Sequence, residues 1–151
     1  MIRVVAPGLL SSVQDLGRPG HGALGVPPGG AADAHALRLV NLHLGNGEVA
    51  AAIEATLSGP TLFFERAALV VLAGAPFGAT LDGAPVPPWS VVEVQAGGLL
   101  VLGRATAGAR GYVCVRGGIE APSVLGSRAT DVATGFGGPA GRSLAAGDVL
   151  E

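Results

Sequence analysis

The chain has 151 residues, 49% of them hydrophobic and only 13% charged, with a net charge of −2. Its length and apolar content exclude a disordered segment and suit one compact core, and the absence of any basic run excludes nucleic acid as an expected partner. All nine basic residues are Arg, so a Walker A lysine, a Schiff-base lysine and a biotinylated lysine are all excluded within this chain.

"MIRVVAPG" predicts an opening strand closed by Pro7–Gly8. It has no apolar h-region, so no signal peptide is expected. "LLSSVQDLGRPG" reads as short apolar pieces followed by a turn, and "VPPGGAAD" as loop. Asp33 is placed to cap a helix over Ala34–Leu44, whose Leu37, Val40 and Leu44 share one face. "GNG" at Gly45–Gly47 stops it. Ile53, Ala55 and Leu57 then alternate with Glu54 and Thr56 as in a half-buried strand. "TLFFE", "ALVVLAG", "ATLDG", "SVVEVQAGG", "LLVLG", "GYVCVRGG" and "AGDVLE" follow as short strands, and "LDGAPVPPW" as a hairpin turn with a Pro-stiffened bend. With 26 Gly and 11 Pro punctuating the chain, the expected fold is mainly β with one substantial helix near residues 34–44, a barrel or a closed, folded sheet.

Cys114, the single cysteine, lies between Val113 and Val115. It is expected to be a buried core thiol rather than a nucleophile. No disulfide can form within the chain, which fits a cytoplasmic location. No run reaches the apolar length that spans a bilayer, so no membrane partner is expected. So low a charge content predicts that part of the surface is covered, by a partner or by self-association with a second copy.

The familiar catalytic signatures are missing. There is no HExxH and no GxSxG, and His21, His35 and His43 lack ligand spacing, so no metal is expected. "GFGG" at Gly135–Gly138 reads as a turn before it reads as an anion cradle. Three polar groupings remain in this apolar chain. Gln14, Asp15, Arg18 and His21 form the first; its plain reading is an Asx-turn from Asp15 into Gly17 beside a solvated Arg18. Asp33, Asn41, Asn46 and Glu54 surround the helix, with a cap, a surface amide and a helix stop as the plain reading. Arg128 and Asp131 in "LGSRATD" read plainly as a surface ion pair worth about 0–1 kcal/mol.

"SSVQDLGRPGHGALGVPPGGAADAHALRLVNLHLGN", from Ser11 to Asn46, resembles the opening signature of the allophanate hydrolase subunit 2 family. That family is also called the biotin-dependent carboxyltransferase-like family, or the family of the 5-oxoprolinase C-subunit. The likeness continues in order through "AAAIEATLSGPTLFFE", "ATLDGAPVPPW", "AGGLLVLG", "ARGYVCVRGGIEAPSVLGSRATDVATGFGG" and "GRSLAAGDVLE". Here the family's usual aromatic near position 21 is His21, and its "SGAMD" is "GGAAD". Family chains run on into a second, comparable half, so residues 1–151 are expected to form a single domain answering to the N-terminal half.

The resemblance implies a cyclophilin-like β-barrel and a subunit 1-like partner. It implies a subunit of an ATP-dependent amidohydrolase, 5-oxoprolinase first, working with a third, LamB/YcsF-type subunit. The alternatives are a carboxyltransferase-like subunit of urea or allophanate metabolism, and a regulatory module antagonising a histidine-kinase inhibitor. ATP enters through the complex, and biotin, if used, is carried on a partner chain. A guanidinium stabilises charge developing on a carbonyl oxygen, and a carboxylate accepts an N–H or acts as base. On this reading Asp15 and Arg18 are the candidate catalytic residues, and Gln14, His21, Arg128 and Asp131 the candidate substrate-binding residues.

Overall fold

Glycine and proline cut the chain into eleven short strands and one helix in the computed structural model, which describes residues 1–151. In chain order these are β1 (Ile2–Ala6), β2 (Leu10–Gln14), α1 (Ala34–His43), β3 (Ala52–Thr56), β4 (Thr61–Phe64) and β5 (Ala68–Gly74). There follow β6 (Thr80–Leu81), β7 (Ala84–Pro85), β8 (Val92–Val94), β9 (Leu99–Val101), β10 (Arg110–Val115) and β11 (Val149–Leu150). A single 3₁₀ turn, Gly22–Leu24, sits between β2 and α1.

The strands pair antiparallel into two sheets, ordered β11-β1-β4-β9-β6-β7 and β2-β3-β10-β5-β8. Side chains alternate across a strand, so each sheet offers one face to the other. Ile2 and Val4 of β1 lie opposite Phe64 and Leu62 of β4. They meet Val13, Ile53, Val70, Leu72 and Val113 of the second sheet in the main core. The second sheet is covered on its far side as well. There Ala52, Val71, Ala73, Tyr112 and Cys114 pack against Ala36, Leu37, Val40 and Leu44 of the helix. Burial on both faces is why β5 reads "ALVVLAG" and β10 "GYVCV", with no apolar–polar alternation.

The helix forms where the sequence places it, one residue shorter. The Asp33 carboxylate accepts the Ala36 N–H at 2.9 Å, and Leu44 is the C-cap. Cys114 is fully buried, and burial pushes its thiol far above the ordinary range, as a core thiol requires. Two expectations need correction. β3 ends at Thr56, and Leu57 turns outward with φ 58° instead of joining the inward alternation. The mainly β character holds, but the pairing gives two open sheets rather than a closed barrel. The outer edge of β2 is taken by irregular chain, through Thr130 N–H to the Val13 carbonyl at 2.9 Å and Leu144 N–H to the Ser11 carbonyl at 2.8 Å. No helix is long and apolar enough to cross a membrane.

Candidate functional site

The segment that covers the β2 edge brings the first and third polar groupings together. Asp15 follows directly on β2 and is 6% exposed. Its Oδ1 accepts the Gly17 N–H at 2.7 Å and the Ser127 hydroxyl at 2.6 Å, and its Oδ2 accepts the Arg128 N–H at 2.6 Å. The Asx-turn into Gly17 is therefore present, and the same carboxylate also holds the far segment. Three of the roughly four acceptor positions of a carboxylate are filled, so Asp15 is a fastener rather than an available base. At Gly17, with φ 82°, any Cβ would collide with the Pro28 carbonyl.

Arg18 is not solvated, contrary to its plain reading: it is 1% exposed. Its Nε donates to the Val124 carbonyl at 3.3 Å and its Nη2 to the Ala129 carbonyl. The guanidinium carbon lies 4.7 Å from the centre of the Phe136 ring, a cation–π stack. Gly137 closes one wall: a Cβ there would stand 2.7 Å from Nη2. Nη1 is buried and has no partner.

Gln14, the last residue of β2, donates from Nε2 to Ser12 Oγ at 2.9 Å and to the Thr130 carbonyl at 3.0 Å. Its Oε1 is buried without a partner. Asp131 accepts the Ala133 and Thr134 N–H groups on Oδ1 at 3.1 and 3.3 Å, while its Oδ2 is buried and free. The Thr134 side chain, the Thr134 and Ala133 N–H groups and the charge of Arg18 hold its carboxyl below the usual range. Three consecutive residues thus meet the β2 loop: Ala129 takes Arg18, Thr130 takes Gln14, and Asp131 feels the Arg18 charge.

The expected ion pair between Arg128 and Asp131 does not form. The Arg128 guanidinium stands 3.8 Å from Glu120, a loose and exposed contact, and its Nε is unpartnered. His21 precedes the 3₁₀ turn, and its ring makes no hydrogen bond to Gln14, Asp15, Arg18, Arg128 or Asp131. "GFGG" forms a turn, as its composition predicts: the Gly135 and Phe136 N–H groups both return to the Asp131 carbonyl, and Gly138 N–H goes to the Arg128 carbonyl.

A second buried network is only half visible in the sequence. Glu54, on β3, lies opposite Tyr112 on β10. Its Oε2 accepts the Tyr112 hydroxyl and the Ala32 N–H, each at 2.8 Å, and its Oε1 is 3.5 Å from Arg110 Nε. The Tyr112 oxygen accepts the Asp33 N–H at 2.8 Å. Burial first, and the Glu54 charge with it, keeps this phenol protonated far above its ordinary range. The readable signal is one polar residue inside each of two apolar strands, which burial obliges to meet. This network anchors the Ala32–Asp33 turn and the start of α1.

Arg18 Nη1 is buried without an acceptor and Asp131 Oδ2 without a donor, and a buried polar group left unpaired costs on the order of 1–3 kcal/mol.

Residues 24–151 match the profile of the carboxyltransferase domain, subdomain A and B. The chain is 40% identical over its whole length to the 5-oxoprolinase C-subunit of Haemophilus influenzae, of which it covers 49%. It is 42% identical over 99% of its length to urea amidolyase of Saccharomyces cerevisiae, of which it covers 8%. In three dimensions it superimposes on urea carboxylase of Kluyveromyces lactis with a TM-score of 0.95 at 42% identity, covering 99% of this chain and 13% of that one. It therefore spans about half the length of the bacterial relative and a small part of the fungal ones.

Proposed function

The chain belongs to the family of carboxyltransferase subdomains A and B, and on that premise we propose that it is part of an ATP-dependent enzyme that opens a small cyclic amide, 5-oxoproline. The observation that carries this reading is the pair of buried, unpartnered atoms Arg18 Nη1 and Asp131 Oδ2. A lactam is a cis amide, so its C=O and N–H point to the same side. A trans amide points them to opposite sides. On this reading Arg18 Nη1 and Asp131 Oδ2 face one guest, and a free donor and a free acceptor so placed suit the cis form. Arg18 holds the carbonyl oxygen and stabilises the charge that develops on it during attack. Asp131, kept ionised by its neighbours, accepts the ring N–H, with Gln14 Oε1 as a second acceptor. Asp15 positions rather than reacts.

This chain's own residues do not fit a triphosphate. It has no Lys, and the Gly135, Phe136 and Gly138 N–H groups of its glycine-rich turn are already bonded to the Asp131 and Arg128 carbonyls. On this reading ATP is held by a subunit 1-like partner and a LamB/YcsF-type third subunit in the cytoplasm. The likeness to urea amidolyase and urea carboxylase favours a second reading, carboxyl transfer to urea, with biotin on a partner chain. Urea offers the same one-sided C=O and N–H edge, so the pair alone serves both.

The test is co-expression with the neighbouring subunit 1-like and third proteins, followed by ATP-dependent release of glutamate from 5-oxoproline. Asp131→Asn in the assembled complex is expected to lower kcat/KM by at least tenfold while the complex stays intact. Full activity in that variant overturns the assignment. ATP-dependent carboxylation of urea without 5-oxoproline cleavage selects the second reading.

A further inference from the structure

A cavity of about 440 Å³ shares no residue with the Gln14, Asp15, Arg18 and Asp131 cluster. It opens between β5, the Pro76–Thr80 segment and the bend that follows β7. Its walls include Pro76, Phe77, Pro85, Pro88 and Tyr112, and no charged side chain lines it. We propose that this cavity is a binding site for an uncharged molecule that carries a planar ring and a hydrogen-bond acceptor.

Four observations carry the inference. The volume falls within the range of small-molecule sites, about 300–1,000 Å³. The lining has no counter-ion, so a charged ligand would lose its hydration with nothing in return. Five rings are among the lining residues, three from prolines and two from aromatics, and apolar rings gain dispersion contact with a ring-bearing guest. They are also fixed in place: proline restricts its own backbone, and Tyr112 is tied down through Glu54 and the Asp33 N–H. A site already in its bound shape loses little entropy on filling.

The fourth observation is a backbone donor at Leu72, which also lines the cavity. β8 pairs with β5 only as far as Val70–Val92. One step further along that edge the Leu72 carbonyl accepts the Trp89 N–H at 2.7 Å, while no turn or loop carbonyl takes the Leu72 N–H. The bonds Ala75 N–H to Arg110 and Arg116 N–H to Leu69 fix the pairing phase of β5 with β10. In that phase the Leu72 N–H faces away from β10, along the open edge. An acceptor atom on the guest would satisfy it.

The experiment uses N-phenyl-1-naphthylamine, a neutral fused-ring probe whose emission rises in an apolar site. Trp89, the single tryptophan, follows Pro88 on the rim and reports contact through quenching. Saturable binding of one probe per chain is expected, with both signals giving one Kd. Thr80→Phe and Thr106→Phe each put a ring into the cavity from its rim and are expected to weaken binding at least tenfold. Leu42→Ser, on the exposed face of α1, is expected to leave it unchanged. The sulfonated analogue 1-anilinonaphthalene-8-sulfonate is expected to bind at least tenfold more weakly. Circular dichroism verifies that each variant is folded, and one folded Phe variant is enough to decide. Undiminished binding in a folded Phe variant, loss in Leu42→Ser, or equal affinity for the sulfonate overturns the proposal.

Discussion

Arg18→Ala is predicted to be a stability mutation before it is an activity mutation. The wild-type guanidinium is 1% exposed, donates to the Val124 and Ala129 carbonyls and stacks on Phe136. Hydrogen bonds from a charged donor contribute about 1.5–3 kcal/mol each, and a desolvated cation–π contact up to about 2 kcal/mol. Against these stands the cost of burying the charge, several kcal/mol, which the substitution removes. What it leaves behind is an acceptor at Ala129 without its donor and a cavity between Phe136 and Gly137. An acceptor left unsatisfied costs about 1–3 kcal/mol and the emptied volume adds to it, so a loss of about 3–5 kcal/mol is expected here. For a domain of about this size each kcal/mol moves the melting temperature by about 2–4 °C, so a fall of roughly 10 °C is expected. Thermal unfolding followed by far-UV circular dichroism, with urea titration as a second measure, reads it directly. Arg18→Lys keeps the charge but loses the fork that reaches two carbonyls, so it should recover less than half of the loss. A fall of under about 2 °C for Arg18→Ala would refute the reasoning, because it would mean a solvated side chain supporting nothing.

Tyr112→Phe removes the acceptor of the Asp33 N–H and one of the donors to Glu54; a loss of about 1–3 kcal/mol is expected, together with faster amide exchange at Asp33. Asp33→Ala deletes the cap on α1, and about 1 kcal/mol should be lost in urea unfolding. Asp131 and Asp148 have carboxyls held below their ordinary range, the first chiefly by Thr134 and the second chiefly by Arg142. Each therefore contributes stability that is complete above the unfolded carboxylate value of about 3.9 and lost as pH falls through the lower folded value. The double variant Asp131→Asn/Asp148→Asn should accordingly show a shallower loss of melting temperature between about pH 4 and 2 than the parent chain; identical slopes would contradict the assigned directions.

Local signals carried what could be read in advance. Asp33 with the Leu37, Val40 and Leu44 stripe specified a helix to within one residue, because capping and 3.6-residue periodicity are both local. Asp82–Gly83 specified the β6–β7 hairpin in the same way, both residues having positive φ. Leu57 misled because alternation alone cannot show where a strand stops. The arrangement of strands into two open sheets was not legible, since it depends on which edges are covered, and the edge of β2 at Val13 is covered by Thr130, 117 residues further on. A similar distance hid the nature of Arg18. Among Gly and Pro its neighbours look like exposed loop, and nothing close to it in sequence reveals that Val124, Ala129 and Phe136 close over it. Glu54 was visible as a polar residue in an apolar strand, but its partner Tyr112 follows only from the β3–β10 register.

The division of labour within the site follows from how few charges the chain has. Holding irregular chain against a sheet edge is unfavourable unless its backbone polar groups find partners. Here Asp15 and Arg18 supply them, one as an acceptor for the Gly17 and Arg128 N–H groups, the other as a donor to the Val124 and Ala129 carbonyls. A carboxylate and a guanidinium can each bind several backbone groups at once, which neutral side chains of that size do less well. Their positions are fixed by that task, so the valences left over are fixed too: the Nη1 amino group of Arg18 and the free oxygen of Asp131, carried on the very segment Arg18 secures. The Arg18 guanidinium and the segment that carries Asp131 are thus held in place by the folding interactions themselves. That is the property a site needs if it is to stabilise charge on a small amide without rearranging at the moment of reaction.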